Sequence, residues 1–202
     1  MILVDDMVVK ELGRVEYQPT WLAMRSFTTA REDSTPDELW LLEHPAVYTF
    51  GQGAAGPAVK NSIPVLKTDR GGDVTYHGPG QAVIYTLVDL ARRSIKVKRF
   101  VGLLEQAVID LLGPSAERKP GAPGVYVDGA KVAALGIRVV RGRAYHGVAL
   151  NVDMDLAPFD AIDPCGYPGL RVTQMRDLGF ELSVAEAGQR LAGLISQRLA
   201  DA

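Results

Sequence analysis

From Gly124 to Val152 the chain alternates strand-like apolar runs with tight-turn pairs: Val125-Tyr126-Val127, Asp128-Gly129, Val132 to Val140, Arg141-Gly142, and Ala144 to Val152. A glycine-bearing pair between two β-type runs closes a hairpin, because glycine supplies the positive φ that such turns require. Three runs joined in this way predict an antiparallel meander. Upstream, Ala82-Val83-Ile84-Tyr85-Thr86-Leu87-Val88 is an almost unbroken apolar and β-branched run of the kind found in a strand buried on both faces. Val65-Leu66-Lys67 reads as a further strand, and Asp37 to Phe50, interrupted by Glu43-His44-Pro45, reads as two short ones.

Helical spacing occurs three times. Trp21, Leu22, Met24 and Phe27 predict a helix from Tyr17 to about Arg31, and Val101, Leu104, Glu105, Val108, Ile109 and Leu112 predict one from Val97 that stops at Gly113-Pro114. Ser183 to Ala200 is amphipathic, with Ser183 three positions before Glu186 as a capping box. Strands in sequential hairpins with helices interspersed give an α+β fold with a mixed, mostly antiparallel sheet and flanking helices. A doubly wound sheet would require more regular β-α alternation. At 202 residues, residues 1–202 are expected to form one domain.

Hydrophobic residues make up 47% of the chain and charged residues 23%, a composition suited to a packed core and unsuited to disorder. A net charge of -2 argues against nucleic acid as the main partner. The basic run Arg92-Arg93-Ser94-Ile95-Lys96-Val97-Lys98-Arg99 reads either as a solvated helix start or as an electrostatic dock for an acidic protein. A lone cysteine points to a reducing compartment. Two acids near the N-terminus and the lack of a long apolar run argue against a secretory signal or a membrane span, so a cytoplasmic location is expected.

The stretch Arg70-Gly71-Gly72-Asp73-Val74-Thr75-Tyr76-His77-Gly78-Pro79-Gly80-Gln81 sets four glycines and a proline among polar side chains, reading as a loop between strands that is shaped to approach a ligand. It is neither G-x-x-x-x-G-K-[ST] nor G-x-G-x-x-G, so no nucleotide loop is expected. Cys165, the only cysteine, lies in Asp163-Pro164-Cys165-Gly166-Tyr167-Pro168-Gly169, where it is either an inert apolar filler or a nucleophile on a loop. A free thiol is only a few per cent ionised at neutral pH, so the second role needs a partner for its proton. Candidates are His44, His77, His146 and Lys131. Lys131 stands out as a long cation at the start of an otherwise buried strand, where desolvation favours its neutral form. His77 and His146 read equally well as structural hydrogen-bonders, and the histidine spacing matches no metal motif.

Taken together, the segments Arg70 to Gln81 with Val83 and Tyr85, Gly129-Ala130-Lys131-Val132-Ala133-Ala134-Leu135-Gly136, His146-Gly147-Val148-Ala149-Leu150-Asn151 and Pro164-Cys165-Gly166 resemble the octanoyl-[acyl-carrier-protein]:protein octanoyltransferases, the lipoyl(octanoyl) transferase family of lipoate biosynthesis. The resemblance implies a fold similar to the catalytic domains of biotin and lipoate protein ligases. It implies Cys165 as the acyl-thioester nucleophile and Lys131 as the lysine that lowers its pKa and serves as acid and base. It implies that Arg70, Gly71, Gly72, Asp73, Val74, Thr75, Tyr76 and His77, with Ala134, Leu135, Gly136, Gly147, Val148 and Ala149, bind the acyl substrate.

The same resemblance implies acyl carrier protein as donor. As acceptors it implies the lipoyl domains of 2-oxoacid dehydrogenase E2 subunits and the glycine cleavage H protein. No metal, ATP or other cofactor is expected, because one thioester is exchanged for another and aminolysis then runs downhill. Rival readings are an ATP-dependent lipoate or biotin protein ligase, a thioesterase that passes the acyl group to water, and a non-catalytic protein that binds carrier domains.

Overall fold

The computed structural model describes residues 2–4, 7–54, 62–162 and 169–202. In chain order the elements are β1 (Ile2–Val4), β2 (Met7–Arg14), α1 (Tyr17–Ala30), β3 (Asp37–Glu43), β4 (Val47–Phe50), β5 (Val65–Lys67), β6 (Val74–His77) and β7 (Gln81–Asp89). They continue with α2 (Val97–Leu112), β8 (Ala116–Lys119), β9 (Ala122–Val127), β10 (Ala130–Val140), β11 (Arg143–Asn151) and α3 (Val184–Ala200). All three helices lie where the apolar spacing places them. The predicted box closes α3: the Ser183 hydroxyl accepts from the Glu186 N–H, and the Glu186 carboxylate accepts from the Ser183 N–H.

Eight strands form one sheet in the order β1-β2-β3-β7-β11-β10-β9-β8. Only β2 and β3 pair in parallel, so the sheet is mixed and mostly antiparallel, as the hairpin signals predict. Strand β7 lies in its middle, with Ile84 facing one layer of core and Val83 and Tyr85 the other. Burial on both faces is why its sequence shows no alternation. Phe100, Leu104 and Val108 of α2 pack with Leu191, Ile195 and Leu199 of α3 on one side of the sheet. Tyr17 and Met24 of α1 pack on the other side, against Trp40, Leu42, Tyr85 and Ala149. No described helix is long and apolar enough to cross a membrane.

A second sheet, β5-β4-β6, corrects the expectation that Arg70 to Gln81 is loop throughout. Val74–His77 pairs antiparallel with β4, in register from Val47↔His77 to Phe50↔Val74. The glycines flank a short strand, and that strand sends alternate side chains to opposite faces.

The basic run divides in two. Asp37, fully buried, accepts from Arg31 at 2.6 Å, Arg92 at 2.7 Å and Arg93 at 2.6 Å. Arg92 also donates to the carbonyls of Asp33 and Thr35, and Arg93 to that of Leu199. These two arginines serve the fold, which leaves Lys96, Lys98 and Arg99 as the exposed cations of the run that Asp37 does not engage.

Candidate active site

A break in the alternation of β10 directs the site lysine. β9 pairs Tyr126 with Lys131 and Val125 with Ala133, so Val132 is the extra residue of a β-bulge. Val132 and Ala133 both enter the core beneath α2 and α3, whereas Ala134 lies beside Lys131 on the opposite face. Bulges re-aim side chains in this way. Lys131 is 3% exposed; its Nζ donates to the Pro123 carbonyl at 3.1 Å and lies 5.2 Å from the centre of the Tyr126 ring. A carbonyl dipole and an aromatic face thus hold the buried lysine.

The backbone of Lys131 is paired on its other side with the segment that follows Asp163–Pro168. Its N–H donates to the Arg171 carbonyl at 2.8 Å and its carbonyl accepts from the Thr173 N–H at 2.9 Å. Cys165 itself lies outside the described residues.

Beyond Ala134 the edge of β10 is no longer covered by β9, and the glycine segment takes over. The Gly71 N–H donates to the Ile137 carbonyl at 2.9 Å. A Cβ on Gly136 would stand 3.0 Å from the Gly71 carbonyl and 3.2 Å from Arg70 Cδ, so the approach is open to glycine alone. The result is a narrow cleft of about 40 Å³, partly open to solvent, on the α1 side of the sheet.

Its lining includes Arg70, Gly72, Asp73, Val74, Thr75, His77, Ala134, Leu135, Gly136, Gly147, Val148 and Ala149, so twelve of the fourteen expected binding residues meet there. Gly71 lies instead in an adjoining cavity. Tyr76 points away, packing against Tyr48 and Phe159 with ring centres 5.5 Å apart in each case. The alternation of β6 explains this, since Thr75 and His77 share the cleft face. Tyr17, Tyr85 and His146 line the cleft as well.

Behind the cleft runs a buried chain of hydrogen bonds. Arg70 donates from Nε to Thr49 Oγ1 at 3.1 Å, and Thr49 in turn faces His77 Nε2 at 3.3 Å. His77 Nδ1 donates to Gln81 Oε1 at 2.7 Å, and Gln81 Nε2 donates to Asn151 Oδ1 at 3.0 Å. Asn151 Nδ2 then donates to the carbonyl of Thr173, the residue whose N–H holds Lys131. One polar path thus joins the glycine segment to the lysine strand. Each member is satisfied, the condition under which a buried network rigidifies a site.

Burial pushes His77 well below its ordinary pKa, and nearby His44 adds to the effect. Burial likewise lowers His44 to about 4. Its Nδ1 donates to the Val15 carbonyl and its Nε2 accepts from the Tyr85 hydroxyl, both at 2.7 Å. Burial also lowers His146, although its Nε2 donates to Asp69 at 2.9 Å. Burial pushes the Asp69 carboxyl up, but hydrogen bonds from His146, Tyr145 and Trp21 outweigh it and hold the group well below the usual carboxylate range. All three histidines are therefore neutral near pH 7. They act as oriented dipoles rather than as cations.

Among the described residues no three His, Cys, Asp or Glu side chains gather as a metal site. Sequence reasoning had not singled out Tyr17 or Asp69. Asp69 borders the glycine segment, yet its partners Trp21, Tyr145 and His146 are distant in sequence.

The model of the lipoyl protein ligase A/B catalytic domain matches residues 16–195. An octanoyltransferase of Aromatoleum aromaticum is 58% identical over 96% of this chain and 86% of its own length. A bi-partite lipoate protein ligase of Thermoplasma acidophilum, solved with its E2 lipoyl domain, superposes with a TM-score of 0.74 at 17% identity, over 96% of this chain and 84% of that one. Biotin protein ligase of Aquifex aeolicus, solved with biotin and ATP, gives 0.54 at 10% identity, over 96% and 70%. The last two share the fold. The chain belongs to the lipoyl protein ligase A/B catalytic-domain family and, within it, to the octanoyltransferases, a family of acyltransferases.

Proposed function

We propose that this acyltransferase moves an octanoyl or lipoyl group from the phosphopantetheine of acyl carrier protein to a specific lysine of a lipoyl domain, through a thioester on Cys165. The acceptors are the lipoyl domains of 2-oxoacid dehydrogenase E2 subunits and the glycine cleavage H protein, and the setting is the cytoplasm. The observation that carries the reading is Lys131. It is a buried lysine three residues before Ala134, which lines the cleft, and its strand pairs with the segment that begins a few residues after Cys165.

In the first half-reaction the Cys165 thiol gives its proton to Lys131, and the sulfur attacks the donor's thioester carbonyl. The tetrahedral oxyanion takes hydrogen bonds from backbone N–H groups. Those near Leu135, Gly136 and Cys165 are the candidate donors. The oxyanion collapses, the pantetheine sulfur leaves, and Lys131 returns the proton to it.

In the second half-reaction the acceptor amine attacks the Cys165 thioester. Cys165 leaves as a thiolate and Lys131 removes the surplus amine proton. The acyl chain lies along Ala134, Gly136, Gly147 and Ala149, where small residues leave room for it. The chemistry calls on neither ATP nor a metal, and on no nucleic acid or membrane partner.

The test is intact-protein mass spectrometry after mixing the purified chain with octanoyl-carrier protein in the absence of ATP. A hydroxylamine-labile octanoyl adduct on wild type, absent from Cys165→Ser, is the expected result. Transfer that appears only with free octanoate and ATP, with no adduct, would overturn the proposal in favour of a ligase.

A further inference from the structure

A second cavity adjoins the acyl cleft. It holds about 280 Å³, part of it open to solvent, and shares Gly72, Asp73, Leu135 and Gly136 with the cleft. It lies at the sheet edge where β9 ends, walled by Gly121 and Pro123 on one side and by Val101 of α2 on another. Pro123 is the residue whose carbonyl holds Lys131 Nζ. The two spaces therefore meet at Leu135 and Gly136, and Pro123 ties the second of them to the lysine.

The outer rim of this cavity is cationic. Lys98 precedes Val101 by one helical turn, and Glu105, one turn further on, accepts from the Gly124 N–H at 3.0 Å. The stripe Lys98, Val101 and Glu105 thus faces the cavity wall, with Lys98 outermost. Lys96, Lys98 and Arg99 are exposed, and none of them forms an ion pair among the described residues. Val97 between them is 47% exposed.

This placement runs against helix stability. The first turn of α2 holds no acid, and its N-cap residue Lys96 makes no side-chain cap. Cations at a helix N-terminus add to its positive end, where acids would be favoured. Among the described residues Asp73 is the one carboxylate lining the cavity, and it accepts from the Val74 N–H at 2.8 Å.

We infer that the second cavity receives the pantetheine arm of the acyl donor while the cleft receives its acyl chain, and that Lys98 at its mouth, with Arg99 on the adjoining solvent face of α2, docks the acidic surface of the carrier protein that bears the arm. The inference rests on the acyl-transfer reading above. It adds the direction from which the donor approaches, and it assigns the docking to the part of the basic run that Asp37 does not engage. Charge complementarity selects a strongly acidic partner and speeds encounter more than it strengthens the final complex.

The experiment compares two donors, octanoyl-carrier protein and octanoyl-pantetheine, for wild type, Lys98→Glu with Arg99→Glu, Val101→Trp, and a control reversal at exposed Arg190. The double reversal is expected to raise KM for octanoyl-carrier protein at least tenfold with kcat unchanged. It should also flatten the salt dependence of kcat/KM and leave octanoyl-pantetheine within twofold. Val101→Trp, which narrows the cavity, is expected to lower kcat/KM for both donors at least fivefold, and Arg190→Glu to change neither. An unchanged KM for the carrier, an equal loss on both donors from the double reversal, or a loss confined to the lipoyl-domain acceptor would overturn the docking surface. Undiminished use of both donors by Val101→Trp would overturn the arm channel. Failure of the acyl-transfer reading is distinct from all of these, because wild type would then form no adduct from either donor.

Discussion

Replacing Gly124 by alanine tests how closely the site lysine is held. Gly124 has φ +137, and an added Cβ would stand 2.7 Å from the Ala133 carbonyl oxygen, 3.0 Å from Lys131 Cε and 3.2 Å from Nζ. The first contact is with sheet backbone and cannot yield cheaply, so part of the relief must come from the lysine. A non-glycine residue in such a conformation costs about 1–3 kcal/mol. In a chain of this size each kcal/mol lowers Tm by about 2–4 °C. Gly113→Ala is the control, since Gly113 has φ +86 with no atom within 4 Å of the added Cβ. It shares the backbone strain without the contact.

Displacing a catalytic group by an ångström costs about 100-fold in rate. With a shift of a few tenths of an ångström up to that limit, Gly124→Ala is expected to lower kcat for octanoyl transfer by about 10- to 100-fold. Gly113→Ala should lose comparable stability and keep its kcat. The assay follows octanoylation of a lipoyl domain by gel shift under single-turnover conditions, at a temperature where both variants remain folded by circular dichroism. A Gly124→Ala enzyme with kcat within twofold of wild type would refute the reasoning, because Lys131 would then tolerate the intrusion or take no part.

Two further perturbations act on the fold. His44 titrates at about 4 in the folded chain against an ordinary value of 6.5, so between these values the unfolded chain binds the additional proton. Stability is therefore complete above pH 6.5 and lost as pH falls, by roughly 3 kcal/mol at pH 4 from this group alone; urea midpoints at pH 7.5 and 5 should differ, with a smaller difference in His44→Gln, and equal midpoints in wild type would contradict the assignment. Asp37→Asn leaves the fully buried Arg31 side chain without its carboxylate, a loss of about 3–5 kcal/mol that urea unfolding would register, whereas a shift under 1 kcal/mol would mean the arginines find other partners.

The interior of the sheet and all three helices were legible because their periodicity is set by burial. The parts that escaped lie at or next to sheet edges. In β2 only Met7 and Val9 show the buried half of an alternation, and Lys10, Glu11 and Arg14 obscure the rest. Strand β8, Ala-Glu-Arg-Lys, is charged because it has a neighbour on one side only. Strand β6 was hidden inside a glycine-rich stretch, since its partner β4 lies well upstream in sequence.

In the site, the glycine segment and Lys131 were visible as residues out of keeping with their surroundings. Their connection was not. Thr49 and Asn151 read locally as ordinary polar strand residues and Gln81 as the end of the glycine loop, and their roles arise only when β4, β7 and β11 meet. Tyr76 was assigned to the cleft with its neighbours because a motif read as loop carries no facing. Once Val74–His77 is a strand, alternation sends Tyr76 to the far side.

The extra residue in β10 makes the lysine's location a matter of counting rather than of chemistry. Were the strand regular there, with every residue from Ala133 onward kept in place, strict alternation would turn Val132 toward the cleft and carry position 131 into the oily layer under α2. Which face receives the lysine is thus settled by an irregularity of the backbone and not by the side chains around it.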